Sequence, residues 1–413
     1  MTQPAITPTD VTQTDVVVVG GGPAGTAAAI ELARAGRAVV LVDKARFPRD
    51  KCCGDGLTTG ALRLLDGLGL RPAQMPGWQE VDAAWVRSPS GRAVRFPLPE
   101  GMGQFAAVVP RLELDAAMVD LARAAGVTVH DGHGFVGLLA SSGDRVTVAV
   151  DAVGAVSARY LVAADGMWSP VRKAFGLSTA GYLGEWHAFR QYFDHVTGSS
   201  AHRLWVWFEP DLLPGYAWSF PLPDGRANVG FGVLRGGERR IQDMKDLWPE
   251  ILGRSHIADA LGPQASAAAP HKAWPIPARI DRAVLTHGRA LFVGDAAGAC
   301  DPLTGEGIGQ ALLTGTLAAR AILDAGALRP AMAAERYRAL VQREWVPDHR
   351  MAAALSRVLE SKRAASGAVR VADLNGWTRA SFARWLFEDE PRAAALTPRR
   401  WHRDFLARPG AFT

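Results

Sequence analysis

Residues 15–44 read DVVVVGGGPAGTAAAIELARAGRAVVLVDK, and this stretch decides the fold. Valines 16–19 make an apolar run of the length of a buried strand, a glycine cluster follows, Pro23 opens about a dozen residues of helical composition, and a second apolar run at 39–42 ends in Asp43. Strand, turn, helix and strand at this spacing form a βαβ unit. Gly20-x-Gly22-x-x-Gly25 occupies its strand-to-helix turn, and Asp43 follows Gly20 by 23 residues. Glycine permits the tight turn and close approach of the backbone to a pyrophosphate. The helix start offers free N–H groups, and the carboxylate suits a ribose hydroxyl. A glycine triplet alone is a weak signal; within this frame it reads as a dinucleotide-binding turn.

The chain has 413 residues, enough for two or three domains, with 48% hydrophobic and 21% charged residues, the balance of an ordinary soluble protein. No run approaches the ~18 uninterrupted apolar residues of a bilayer span. Residues 1–15, MTQPAITPTDVTQTD, lack a basic start and an apolar stretch, so they read as a short loose leader rather than a signal peptide. Three cysteines, two of them adjacent at Cys52 and Cys53, give neither a disulfide framework nor metal-ligand spacing, and a cytoplasmic setting is expected. The net charge of +5 is uneven: residues 331–413 carry +6, so attraction to anionic surfaces belongs to the tail. No repeat and no nucleic-acid motif is found.

Two later segments extend the reading. Asp165-Gly166 follows an apolar strand in YLVAADGMWSPVRKAFG, and Gly294-Asp295 follows another in ALFVGDAAGACDPLTGEGIGQALLTG. Such distant pairs suit a long cofactor lying extended across the fold. The spacing of all three segments resembles FAD-dependent oxidoreductases built like the aromatic hydroxylases. That resemblance implies that Asp295 binds the ribityl chain, that Asp165 takes part, and that Arg111, in VVPRLELDAAMVDLARAAGVTVHDG, reaches the FAD.

Shorter words narrow the family. PGYAWSFPLPDGRANVGFGV, residues 214–233, resembles the Tyr-x-Trp-x-Phe-Pro motif of the geranylgeranyl reductase family and its following Asn-x-Gly turn. FPRDKCCGDGL is similar to that family's Lys-x-Cys-Gly-x-Gly segment, with Cys53 at the cysteine, and DPLTGEGIGQAL to its Pro-x-Thr-Gly-Glu-Gly-Ile loop. The resemblance covers roughly residues 14–330. It implies reduction of C=C bonds in an isoprenoid or other long apolar polyene, with NAD(P)H or reduced ferredoxin as electron donor. An aromatic-hydroxylase-type monooxygenase or a halogenase is the alternative, although the halogenase lysine has no assignable counterpart. Cofactor contacts are implied for Gly20, Gly22, Ala24, Gly25, Asp43, Lys44, Cys53, Gly54, Arg111, Asp165, Gly166, Gly294, Asp295, Gly305, Gly307 and Ile308. The doubled Cys52 and the pair Cys300-Asp301 depart from the family pattern.

Tyr216, Trp218 and Phe220 alternate, so a strand would present all three on one face, as core or as the wall of an apolar tunnel. Trp205, Trp207 and Phe231 are candidates for the same lining, or for the core of a second sheet. An isolated C=C needs a proton as well as a hydride; the candidate donors are Cys53, Tyr216 and a water held by the Gly305–Gly307 loop, with Trp218 also placed at the catalytic end. Glu306 reads as a loop anchor.

The expected fold is α/β: a Rossmann-type FAD-binding domain with a parallel sheet from 1–84, 104–180 and 283–330, an antiparallel-sheet substrate domain from 85–103 and 181–282, and a helical C-terminal segment, 331–413. Trp377, Trp385 and Trp401 among arginines read either as an interfacial face, for peripheral contact with the inner face of a membrane, or as part of a solvated cap.

Overall fold

The computed structural model describes residues 11–236, 241–401, 403–405 and 407–413. The valine-rich strand Val11–Val19 lies at the centre of the first sheet, parallel to Gly154–Ala163 on one side and Val39–Asp43 on the other. Ala290–Phe292 and Thr128–Asp131 extend the parallel array at its two ends. Helices Pro23–Arg34 and Ile308–Ala325 pack together beside it, and Val16, Val17 and Val18 are fully buried. A parallel strand covered on both faces has no wet side, which is why these runs are continuously apolar. Residues 11–14 are not loose: they pair with 155–158 and belong to the strand, because one edge of the long strand Gly154–Ala163 continues past Val16 and takes them as partners. Residues 1–10 of the expected leader lie outside the described residues.

The second sheet also has eight strands, running in the order Ser266–Ala267, Trp186–Asp194, Arg226–Leu234, Ala217–Leu222, Leu204–Trp207, Ala83–Arg87 and Ala93–Pro97, with Lys272–Ile276 paired to Trp186–Asp194. All its pairs are antiparallel except Leu204–Trp207 with Ala83–Arg87. The C-terminal chain is helical over Pro330–Glu344, Val346–Leu359, Lys362–Ala372 and Gly376–Leu386. It touches both sheets. Tyr337 donates to the carbonyl of Phe292 at 2.8 Å, and Phe382 packs on Phe96 with ring centroids 4.6 Å apart. Among the described residues no helix is long and apolar enough to cross a membrane.

Candidate active site

The three glycines of the first turn are needed for three different reasons. Gly20 has φ +110°, and a Cβ there would lie 2.2 Å from the carbonyl oxygen of Ala164. At Gly25 a Cβ would lie 1.8 Å from the carbonyl oxygen of Gly20, so only glycine lets the helix sit this close to the strand. Gly22 is different. The nearest atoms to its Cβ position are Arg49 Nη2 at 3.6 Å and Arg111 Nη2 at 3.9 Å, which leaves a bare cradle faced by guanidinium groups. Both arginines bond one carboxylate, Asp115, Arg111 through Nε and Nη2 at 2.8 Å and Arg49 through Nη1 at 2.9 Å. Two cations against one anion leave a net positive charge beside a helix N-terminus, a setting suited to a diphosphate. Asp43 accepts from the backbone N–H of Gly21 at 2.7 Å and of Ala45 at 2.8 Å, which holds the turn against the second strand.

A cavity of about 940 Å³ runs on from this cradle. Ala24, Asp43, Lys44, Gly54, Gly166, Gly294, Asp295, Gly305, Gly307 and Ile308 all line it. Gly25 does not; it is packed between helix and strand. Asp165 also borders the cavity, but its carboxylate is engaged, accepting from the Ser169 hydroxyl at 2.6 Å and the Val171 N–H at 2.9 Å. It therefore supports Ser169, the N-cap of helix Pro170–Ala174, and burial pushes its pKa up to about 6. Asp295 accepts from the Cys300 thiol at 3.3 Å, so the cysteine absent from the family pattern is a support for that carboxylate. FAD fits these residues: the diphosphate at the Gly22 cradle, with Asp43 and Asp295 available to hydroxyl groups.

The aromatic strand walls a further part of the cavity. Tyr216, Trp218 and Phe220 all line the cavity, and two glycine words of the sequence are explained by contact with them. A Cβ at Gly54 or Gly56 would meet the Phe220 ring at 3.3 or 3.0 Å, and one at Gly230 would meet Trp218 at 2.4 Å. Asn228 joins the words chemically. Its amide donates to the Cys53 carbonyl at 2.8 Å and to Asp55 Oδ2 at 2.7 Å, and its oxygen accepts from Trp218 Nε1 at 3.2 Å. Asp55, which the motif reading passed over, also accepts from the Tyr192 hydroxyl at 2.5 Å, and burial pushes its carboxyl up to about 6. Its position between two glycines, at φ +65°, is the local signal that marks it.

Trp205, Trp207 and Phe231 do not line the cavity. They are buried on the far side of the sheet, with Phe189 and Trp248: Trp205 stacks on Trp207 at 5.7 Å and Phe231 on Trp248 at 5.8 Å. Strand register is the reason. Trp205 lies opposite Ser219, and both Trp207 and Phe231 lie opposite Ala217, so all three share the face that Trp218 and Phe220 avoid. Leu204, Val206 and Phe208 take the cavity positions instead.

A buried acid cluster stands beside the aromatic wall. Asp301, fully buried, accepts from the N–H groups of Leu303 and Thr304 and pairs with Arg392 at 2.9 Å. Glu388 bonds Gln310 at 3.0 Å, Thr58 at 3.2 Å and Arg392 at 3.2 Å. Glu306 lines the cavity and accepts from the Gly309 N–H at 2.6 Å. Burial, then the Glu388 carboxylate, push Glu306 up to about 8; burial pushes Glu388 up to about 7. Burial also pushes Cys53 up to about 12 and lifts Tyr216, whose hydroxyl donates to the Thr304 carbonyl. Lys51 lies with its ammonium 3.6 Å from the Trp274 ring centroid, and burial lowers its pKa.

Sequence reasoning assigned the C-terminal segment no part in the site, yet Leu355, Val358, Leu359, Val369, Phe382 and Trp385 line the cavity. The expected tryptophan face divides: Trp385 turns to the cavity beneath Arg392, while Trp377 and Trp401 are exposed at 71% and 60%.

Comparison with known proteins agrees with this geometry. Residues 13–322 match the model of the FAD binding domain family. The chain is 36% identical over 360 residues to a menaquinone reductase of Mycobacterium tuberculosis, covering 78% of this chain and 80% of that protein. It is 32% identical over 330 residues to digeranylgeranylglycerophospholipid reductase 1 of Methanopyrus kandleri, covering 75% and 80%. A geranylgeranyl bacteriochlorophyll reductase-like protein of Thermoplasma acidophilum superposes with TM-score 0.78 at 20% identity, covering 95% of this chain and all of that one. The brominase Bmp2 shares the fold at TM-score 0.73 and 19% identity, covering 94% and 98%. With its glycine cradle, aromatic strand and reductase relatives together, the chain belongs to the geranylgeranyl reductase family of FAD-dependent oxidoreductases.

Proposed function

We propose that the protein saturates C=C bonds of an isoprenoid chain, such as the side chain of a quinone or a lipid, using reducing equivalents from NAD(P)H or reduced ferredoxin. The observation that carries this reading is that Tyr216, Trp218 and Phe220 line the same cavity as the glycine cradle, continued by apolar side chains of the C-terminal helices. A featureless chain is recognised by such a lining, since apolar burial is its main source of affinity. The names of the relatives, a menaquinone reductase and a digeranylgeranylglycerophospholipid reductase, are consistent with it.

When bound and reduced, FAD supplies the hydride. The chain's own residues do the rest. Trp218, tethered by Asn228 to the Cys53 carbonyl, fixes one side of the reacting end, and the aromatic and aliphatic walls exclude water. For the proton, acidity orders the candidates. Cys53 near 12 and Tyr216, raised further, are weak acids, whereas Glu306 near 8 holds its proton at neutral pH and gives it up most readily. Glu306 rather than Cys53 is therefore assigned the proton donor's part, with Glu388 sustaining its protonation.

Anaerobic incubation of the chemically reduced protein with menaquinone, or with a geranylgeranyl lipid, tests the proposal. A product heavier by two hydrogens per bond is expected. A product that gains oxygen in air, or halogen in the presence of halide, overturns it. The halogen reading is kept in view by Lys51, an ammonium group in the cavity wall.

A further inference from the structure

The cavity reaches the surface at several places, one of them at the helices Val346–Leu359 and Lys362–Ala372. Val358 is 55% exposed and Ala368 is exposed, and both line the cavity, so they mark its rim on this side, as Trp168 and Lys272 do elsewhere. From this rim an apolar stripe continues along the outside of the second helix. Ala365, Val369 and Ala372, spaced i, i+4, i+7, are its buried face. Ala364, Ala368 and Val371 repeat the same spacing on the neighbouring face, with Val371 62% exposed. Beyond the helix end the stripe is prolonged by Leu374 and Trp377, at 68% and 71%. Four large apolar side chains so exposed within twenty residues are unusual for a surface that faces only water.

The charge around the stripe is net positive. Between residues 357 and 379 stand Arg357, Lys362, Arg363, Arg370 and Arg379 against Glu360 and Asp373. Asp373 is spent on Arg92 and Arg379. Arg363 and Arg370 are exposed on the following face of the same helix, seven residues apart. Apolar side chains flanked by cations at the mouth of an apolar cavity are complementary to a bilayer with anionic headgroups.

We infer that the segment 358–377 is a membrane-docking surface: Val358, Val371, Leu374 and Trp377 enter the headgroup region of an anionic bilayer, Arg363 and Arg370 pair with its phosphates, and the cavity mouth is thereby set against the lipid phase. The inference deepens the proposed function, since it supplies the route by which an isoprenoid chain reaches the cavity, but its test needs no reaction. The docking so inferred is peripheral, since no helix among the described residues is long and apolar enough to cross a membrane.

Flotation of the FAD-loaded protein with vesicles of saturated phosphatidylcholine, with and without phosphatidylglycerol, reads the surface directly, because these lipids contain no reducible bond. Binding is expected only where phosphatidylglycerol is present, and it should weaken as salt is raised. Each surface cation is worth roughly fivefold in partitioning, so removing both in Arg363→Gln/Arg370→Gln should lower binding about 25-fold. Leu374→Glu/Trp377→Glu should abolish it. Unchanged FAD content and unfolding midpoint certify that both variants are folded, and the salt series on the unaltered protein gives a reading independent of them. Equal binding to neutral vesicles, no binding to either, or binding that both variants retain overturns the inference. So does a concentration-dependent dimer that Leu374→Glu/Trp377→Glu dissolves, which would assign the face to a second copy of the chain. Failure here with a hydrogenated product in detergent leaves the proposed reaction standing; docking without that product leaves the surface standing.

Discussion

Gly22 and Gly25 lie three residues apart in one motif, and the structure gives substitutions at them opposite consequences. Gly22 has φ −78°, open to any residue, and its Cβ position meets only two guanidinium tips at 3.6 and 3.9 Å. An alanine there removes freedom from the unfolded chain, a gain of about 0.4–1 kcal/mol. It also replaces a better helix N-cap, a loss of roughly 0.5–1 kcal/mol. These offset, so the folded apoprotein should be as stable as the parent to within about 1 kcal/mol, and Gly22→Val should remain folded too. What the side chain does fill is the space in front of the helix start, where a diphosphate must approach the backbone. At Gly25 the added atom lies 1.8 Å from a backbone oxygen, where real Cβ atoms essentially never come within 3.0 Å, so helix and strand must part by more than an ångström. In a close-packed interior that costs about 1–3 kcal/mol or more. Denaturant midpoints of the apoproteins and the ratio of flavin to protein absorbance after purification separate the two. Gly22→Val should arrive colourless with a near-normal midpoint; Gly25→Ala should have a lowered midpoint whatever its colour. A Gly22→Val protein with stoichiometric FAD, or a Gly25→Ala protein with the parent's midpoint, would refute the placement of the diphosphate or of the helix.

Two further outcomes are expected. Glu306 is raised from 4.5 to about 8, so its proton is held more tightly in the folded state. The stability this gives is complete below the unfolded value and is lost as pH rises through about 8, at up to ~1.4 kcal/mol per unit. Urea midpoints should therefore fall between about pH 5 and about pH 8 and level off above, and Glu306→Gln, which can still accept from Gly309, should flatten that slope; an unaltered slope would move the titration elsewhere. Trp207→Ala should cost ~3–5 kcal/mol of stability while leaving the products of the folded fraction unchanged, because Trp207 is core on the far side of the sheet; a changed product distribution would return it to the cavity wall.

Much of the cofactor half was legible because its signals are local. A glycine turn between an apolar strand and a helix needs only neighbours in sequence to be recognised, and here Gly20 and Gly25 are required by backbone atoms on the adjoining strand or a few residues away, while Gly22 leaves the cradle bare. The aromatic strand was legible in its period but not in its partners. A period of two says that Tyr216, Trp218 and Phe220 share a face; it does not say which face of the next strand joins them. That depends on register, and placing Trp205 opposite Ser219 sends three expected wall residues into the core.

The tail was the least legible, for a different reason. Its helices are ordinary amphipathic sequence, and their bearing on the site comes from contacts across great sequence separation. Glu388 reaches Thr58 over 330 residues, and Arg392 reaches Asp301. These contacts also account for the departure at Asp301, where the family pattern has no acid: once Arg392 is buried with 1% of its side chain exposed, a carboxylate must be buried with it. The cluster so formed holds three carboxyl groups against one guanidinium, and such a cluster sheds charge by keeping a proton. Glu306 is the member open to the cavity, as its proposed part as proton donor requires. The C-terminal segment thus bears on both ends of the proposed reaction: Phe382 and Trp385 line the apolar cavity, and Glu388 adds to the burial that raises the pKa of the cavity acid.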